Sequence, residues 1–234
     1  MSETRIETIT AADGGTFDGH VWVPDGGGGA GVLLLQEIFG ISRYIRDVAE
    51  RLADDGYVVL APDLYWRIEP GVVFDASDLD RARSFSQRFD WDTGVLDCGA
   101  AYMHLQGLPE ISESCGVLGF CFGGSLAYRM ATDFEPDAVV AYYGSRVPDQ
   151  VDLMGRVSCP LLMHFGGSDP FIARERVARV QQEAEGHEHV EVLVEEDAGH
   201  AFDNHESEAL YDAGAARRAW RATTQFLDHE LRGT

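Results

Sequence analysis

The chain has 234 residues, 45% of them apolar and 25% charged, a length and balance that suit one domain spanning 1–234 with a sizeable core and exclude intrinsic disorder and collagen-like repeats. Its 40 acidic residues against 18 basic ones leave a formal charge of −22, which repels phosphate backbones and anionic surfaces and argues against nucleic acid or a membrane as partner. The four cysteines form no C-x-x-C pair, so neither a disulfide framework nor a structural zinc is expected.

No apolar run approaches the ~20 residues that span a bilayer, and 1–10 lacks the apolar core of a signal peptide, so a cytoplasmic location is expected. All 18 basic residues are Arg. A base composition that favours Arg codons would account for the missing Lys but not for the acidity. A surface dense in carboxylates stays hydrated when salt screens its self-repulsion, and the composition is read as halophilic. Unfolding across a salt series checks this: stability should rise from dilute buffer to molar salt, and equal stability would count against it.

Along the chain, short β-branched or apolar runs predict strands at 5–9 and 20–23, a first hairpin, and then at 32–36. The glycine-rich stretch 25–29 has no phosphate-loop spacing and precedes a strand, so a loose hairpin connection is expected there. Apolar residues recurring at three and four predict a helix at 43–54, followed by a strand at 57–61, helices at 77–89 and 93–105, and a strand at 116–119. Beyond it come a helix at 125–131, strands at 138–143 and 161–165, a helix at 172–185 and a strand at 190–194. A last helix is predicted at 207–231, with Leu210, Ala213, Ala216, Trp220 and Leu227 on one stripe. Such alternation predicts an α/β fold with a mostly parallel central sheet, helices on both faces and an antiparallel N-terminal edge. Ligands of such sheets bind beyond the carboxyl ends of the strands, so the loops after the strands are where chemistry is sought.

The strand at 116–119 runs into Gly119-Phe120-Cys121-Phe122-Gly123-Gly124. This is G-x-S-x-G with cysteine as the nucleophile, a sharp strand-to-helix turn in which the flanking glycines make room and the helix N-terminus favours a thiolate. Taken alone, a buried structural cysteine fits the segment as well. Two later loops shift the balance. The strand at 161–165 is followed by Gly166-Gly167-Ser168-Asp169, and that at 190–194 by Glu195-Glu196-Asp197-Ala198-Gly199-His200. The chain order nucleophile, acid, histidine is that of an α/β-hydrolase triad, in which Asp169 orients His200 and His200 faces the sulfur. Taken singly, Asp169 could cap the helix near Phe171 and His200 could be a surface residue. The strand at 32–36 leads into Glu37-Ile38-Phe39, whose Ile38 N–H, with that of Phe122, is the natural pair for an oxyanion. The other histidines show no i, i+4 pair with a supporting Glu, so no metal is expected, and the chemistry calls for no cofactor.

Together, Gln36-Glu37-Ile38-Phe39-Gly40, Ala61-Pro62-Asp63-Leu64-Tyr65, the Cys121 turn, Tyr142-Tyr143-Gly144, the Asp169 loop and Ala198-Gly199-His200-Ala201-Phe202 make the chain resemble the dienelactone hydrolase family over nearly its whole length. The resemblance implies the α/β-hydrolase fold and a hydrolase of carboxylic esters or lactones, with a Cys121, His200, Asp169 triad and an acyl-enzyme. It also implies that Glu37 contacts the resting thiol and assists its activation. Arginines that hold a substrate carboxylate in the family are matched here by Asn204 and Leu79. Arg81, Arg83 or Arg146 is left as a replacement clamp, each more readily read as a surface partner in an acidic protein. Phe39, Tyr65, Trp66, Tyr143 and Phe202 would supply an aromatic pocket or simply core. Two alternatives stay open: a general carboxylesterase or thioesterase acting on uncharged substrates, and a non-catalytic protein using Cys121 as a redox sensor. The expected partner is a small-molecule substrate, and the oligomeric state is left open, a monomer being compatible.

Overall fold

A computed structural model describes residues 3–233, and the chain divides into two compact units, Met1–Val117 and Leu118–Thr234. In the first, β1 (Glu3–Thr10) and β2 (Thr16–Val23) form the predicted antiparallel hairpin, in unbroken register from Glu3 opposite Val23 to Thr10 opposite Thr16. β3 (Gly29–Leu35) runs parallel to β4 (Val58–Pro62), and β4 pairs antiparallel with β2. Strand β4 therefore lies between β2 and β3, and the hairpin expected over 25–29 is corrected to a crossover. Its later glycines serve close approach, not looseness. A Cβ on Gly28 would stand 2.5 Å from Glu110 O, and one on Gly29 2.7 Å from Gly56 O.

β3 and β4 are buried along their whole length. Central strands covered on both faces must be apolar throughout, which is why both read as continuous runs and not as alternating ones. α1 (Arg43–Asp54) matches its prediction, with Tyr44, Ile45, Val48, Ala49, Leu52 and Ala53 as its buried stripe, at the helical spacing. The predicted helix 77–89 is instead a 3-10 turn, Ala76–Asp78, followed by α2 (Leu79–Arg88). Asp75 accepts the Ser77 N–H and opens that turn. α3 (Trp91–Gln106) starts earlier than predicted because Asp90 caps it, accepting the Thr93 N–H, one of the donors a helix start leaves unpaired. Asp97 of α3, 2% exposed, accepts Arg67 Nε and Nη2 at 2.8 Å and Trp66 Nε1 at 2.9 Å. That buried carboxylate is fully satisfied, and it holds Trp66 stacked on Phe17 at 5.3 Å, so Trp66 is a scaffold residue.

β5 (Ile111–Phe120) is longer than predicted and ends in the second unit, where β6 (Ala138–Tyr142), β7 (Leu161–Gly166) and β8 (Val190–Glu195) follow it in order. β6 to β7 and β7 to β8 are parallel. α4 (Phe122–Asp133) packs on β6, and α5 (Arg174–Ala184) on β8 and on a 3-10 stretch, Val147–Arg156, that was not predicted. α6 (Ala213–Arg232) starts six residues later than predicted. Asp212 accepts the N–H groups of Gly214 at 2.8 Å and Ala215 at 2.9 Å, which leaves Leu210 ahead of the helix and 39% exposed. The buried face is Ala215, Ala216, Ala219, Thr223, Leu227 and Leu231. Thr223 Oγ1 lies 2.7 Å from Tyr142 Oη and 3.0 Å from His164 Nε2, tying α6 to two core strands. Burial pushes His164 down to about 3, so this ring is a neutral core residue. No helix among the described residues is long and apolar enough to cross a membrane.

Candidate active site

At the end of β5 the chain turns at Cys121, with φ +54° and ψ −107°, and α4 begins at the next residue. A non-glycine residue in so sparsely populated a backbone conformation costs on the order of 1–3 kcal/mol, so the surroundings must hold it. The Cys121 N–H donates to Tyr142 O at 2.9 Å and its carbonyl accepts the Ser125 N–H at 3.1 Å. A Cβ on Gly119 would stand 2.1 Å from Gly123 O, and one on Gly124 2.2 Å from Tyr142 O. Glycine is therefore required at these two places, the second of which was not singled out in the sequence. The sulfur sits at the positive end of α4, where a thiolate is favoured.

The acid and the histidine are placed by the loops after β7 and β8. These loops touch through main chain. A Cβ on Gly166 would be 2.4 Å from Gly199 O and one on Gly167 2.4 Å from Glu196 O, while the Ser168 N–H donates to Ala198 O at 3.0 Å. Asp169, 6% exposed, divides its oxygens. Oδ1 accepts the N–H groups of Phe171 at 2.7 Å and Ile172 at 3.1 Å, and Oδ2 accepts His200 Nδ1–H at 2.6 Å. Asp169 thus caps the turn and meets the His200 ring at the same time. His200 Nε2 then faces Cys121 Sγ at 3.1 Å.

Burial disfavours a charged His200, but the negative charge of Cys121 and the hydrogen bond to Asp169 outweigh it and the pKa is pushed up to about 10. The ring is therefore favoured in its charged form between Asp169 and the sulfur. It is clamped by Tyr143 and Phe171, each with a centroid 5.2 Å away. Among the described residues the non-glycines at positive φ are Cys121, Tyr143 and Ala201. Cys121 faces His200, Tyr143 packs on its ring and Ala201 follows it in sequence, and backbone strain of this kind gathers at functional sites.

The remaining predicted residues stand as follows. Tyr143 and Phe202 are fully buried and pack on each other at 5.3 Å, so they back the histidine and do not line an open pocket. Phe171, 54% exposed beside His200, is the open aromatic surface, and sequence reasoning had seen it only as the helix start that Asp169 might cap. Arg146 is exposed, and its N–H donates to Ser125 Oγ at 3.2 Å. Asn204 is buried, its Oδ1 accepting the Glu206 N–H at 3.0 Å. In the first unit Glu37 is 2% exposed, and its carbonyl accepts Gln36 Nε2–H at 3.3 Å. The Ile38 carbonyl accepts from Tyr65 Oη at 3.1 Å, and Phe39 O accepts the Phe74 N–H at 2.9 Å. Tyr65 is fully buried, edge-on to Phe85 at 5.5 Å. Arg81 pairs with Glu69 at 3.1 Å and Arg83 faces Asp80 at 3.9 Å, so these two guanidinium groups act as surface partners.

The chain is similar to known proteins over nearly its whole length. Residues 17–231 match the dienelactone hydrolase family. The chain is 33% identical over 223 residues to a carboxymethylenebutenolidase of a Pseudomonas species, covering 94% of this chain and 93% of the relative. It is 32% identical over 223 residues to the carboxymethylenebutenolidase of Pseudomonas putida, covering 94% of each. Among solved structures, a dienelactone hydrolase-like promiscuous phosphotriesterase from metagenomic libraries superposes with a TM-score of 0.78 at 26% identity, covering 97% of this chain and 99% of that one.

Proposed function

The chain belongs to the dienelactone hydrolase family, and on that premise we propose that it is a cysteine-dependent hydrolase of small carboxylic esters or lactones that works through an acyl-enzyme. The observation that carries this reading is the relay of contacts from Asp169 Oδ2 through His200 to Cys121 Sγ, at 2.6 and 3.1 Å, on a turn held at positive φ. The sulfur attacks the substrate carbonyl, and the Phe122 N–H, first in α4, donates to the oxyanion that develops. His200 passes its Nε2 proton to the leaving alkoxide as the thioester forms, then takes a proton from the water that hydrolyses it. Asp169 keeps the ring in the tautomer and orientation both steps need. The resemblance adds Ile38 N–H as a second oxyanion donor and Glu37 as the group that assists thiol activation. Acid-quenched protein after mixing with p-nitrophenyl acetate should carry one acetyl group, on Cys121. Steady turnover with no acyl adduct at that position would overturn the mechanism.

Within this reading, uncharged substrates are favoured. Asn204 stands where the family resemblance expects a substrate-binding arginine, and Arg81 and Arg83 are turned to carboxylates of their own helix and loop. Losing a guanidinium that pairs with a carboxylate costs a few kcal/mol, or roughly a hundredfold in affinity, and the charge of −22 repels anions at low salt. The expected result is a kcat/KM for a neutral lactone well above that for a dienelactone carboxylate of similar size, with the gap narrowing in molar salt as repulsion is screened. A strong preference for the anion would assign the clamp to another arginine, with Arg146→Ala the first variant to make.

A further inference from the structure

β1 is the outermost strand of its sheet. It pairs with β2 along one side, and among the described residues no strand pairs with its other side. Such an edge normally carries a device against further pairing, such as a proline, a bulge, a very short run or repelling charges. β1 has no proline and no glycine, and its eight residues pair with β2 without a break. Five of the eight, Thr4, Ile6, Thr8, Ile9 and Thr10, are β-branched, the residue type that favours strands. Ile6 is 60% exposed, and Thr4, Thr8 and Thr10 are exposed on the same face, as alternate residues of a strand must share one. The opposite face carries Glu3, Arg5 and Glu7, with Arg5 bound to Glu7 at 2.7 Å and to Glu110 at 2.8 Å.

The order of these charges selects a partner. Two identical strands meeting antiparallel across a two-fold axis can centre on any residue whose outward groups match. An axis at Arg5 sets Arg5 against Arg5 and Glu3 against Glu7, and an axis at Glu7 sets Glu7 against Glu7. Both bring like charges face to face, which destabilises a strand pair. An axis at Thr4 sets Glu3 against Arg5 but pairs only residues 3–5 of the strand, and one at Thr8 pairs only 6–10 with no opposite charges, whereas an axis at Ile6 pairs residues 3–9, with Arg5 opposite Glu7 twice, Thr4 opposite Thr8 twice, Ile6 against Ile6 and Glu3 opposite Ile9. We propose that β1 is a dimerisation edge: a second copy of this chain adds its own β1 antiparallel about Ile6, and the sheet continues from one copy into the next. This is an isologous contact, closed by its own symmetry. A single strand pair is smaller than a standard interface, so the dimer is weak and depends on concentration. The repulsion between two copies of charge −22 is relieved by salt, so association strengthens from dilute buffer to molar salt.

Sedimentation of the full chain over a concentration series in molar salt should show a monomer–dimer equilibrium. Arg5→Glu, which removes the only positive charge from the strand, should raise the dissociation constant at least about tenfold. The double variant Arg5→Glu with Glu7→Arg restores the alternation and should restore the dimer. Ile6→Cys should cross-link two copies under mild oxidation, because position 6 faces itself, whereas Thr8→Cys, opposite Thr4, should not. This pair carries the test even if Arg5→Glu fails to fold. Ester turnover and far-UV circular dichroism confirm that each variant is native. A monomer at every concentration, an association that Arg5→Glu leaves unchanged, or a double variant that stays monomeric would overturn the proposal.

Discussion

Replacing Cys121 with alanine should lower ester turnover by on the order of 10^4-fold or more while the fold persists. The size follows from the roles assembled on one atom. Without the sulfur there is no acyl-enzyme, and the imidazole, the Asp169 contact and the oxyanion donor are left acting only on water. Cys121→Ser should fail nearly as badly. The turn and its surroundings are arranged for a sulfur nucleophile, which gives up its proton far more readily than an alcohol does. The fold should survive both changes because the turn is held through main chain, by Tyr142 O and the Ser125 N–H. The check is kcat/KM for a neutral ester beside the thermal melt. A Cys121→Ala enzyme with undiminished turnover would end the proposed mechanism.

Asp169→Asn should cost on the order of 10^3–10^4-fold in kcat with little change in KM. An asparagine can still accept the Phe171 and Ile172 N–H groups through its amide oxygen, so the loop should stay in place. Its NH2 would then face His200 Nδ1 and force that nitrogen to accept, reversing the tautomer. The pH profile follows from the raised pKa of His200. The ring is charged in the folded protein up to about 10, against about 6.5 unfolded. The stabilisation from the charged pair is therefore fully present below about 6.5 and is lost as pH rises through about 10. Activity should fall over the same alkaline range, as the proton for the leaving alkoxide disappears. In Cys121→Ala the facing negative charge is gone, and the His200 pKa measured by NMR should drop. An unchanged titration would mean that the ring does not face the sulfur.

The meeting of Cys121, Asp169 and His200 was legible because each residue follows a strand of clear apolar pattern and sits among glycines whose spacing has a mechanical meaning. The order of the strands was less so. Nothing local to 25–29 says that β4 will come to lie between β2 and β3, since pairing is decided by tertiary contacts. The start of α6 was misplaced because an apolar recurrence from Ser207 onward looked helical. The Asp212 side chain, taking two N–H groups, sets the true start, and a cap of this kind is worth about 1 kcal/mol. Tyr143 was assigned to a strand. Its φ of +37° ends β6 one residue earlier and brings the ring against His200, a backbone state that no residue preference at that position foretells.

The loops that carry Asp169 and His200 meet glycine against carbonyl, at Gly166 with Gly199 and Gly167 with Glu196. Their spacing is therefore independent of the side chains they display. If the proposed mechanism holds, mutations at Phe171 or Asn204 should reshape what the site accepts while Asp169 and His200 keep their main-chain spacing, so substrate range can drift across generations while the reaction is kept. A library randomised at those two positions should retain many active members with altered preferences. One randomised at Gly166 and Gly167 should retain almost none.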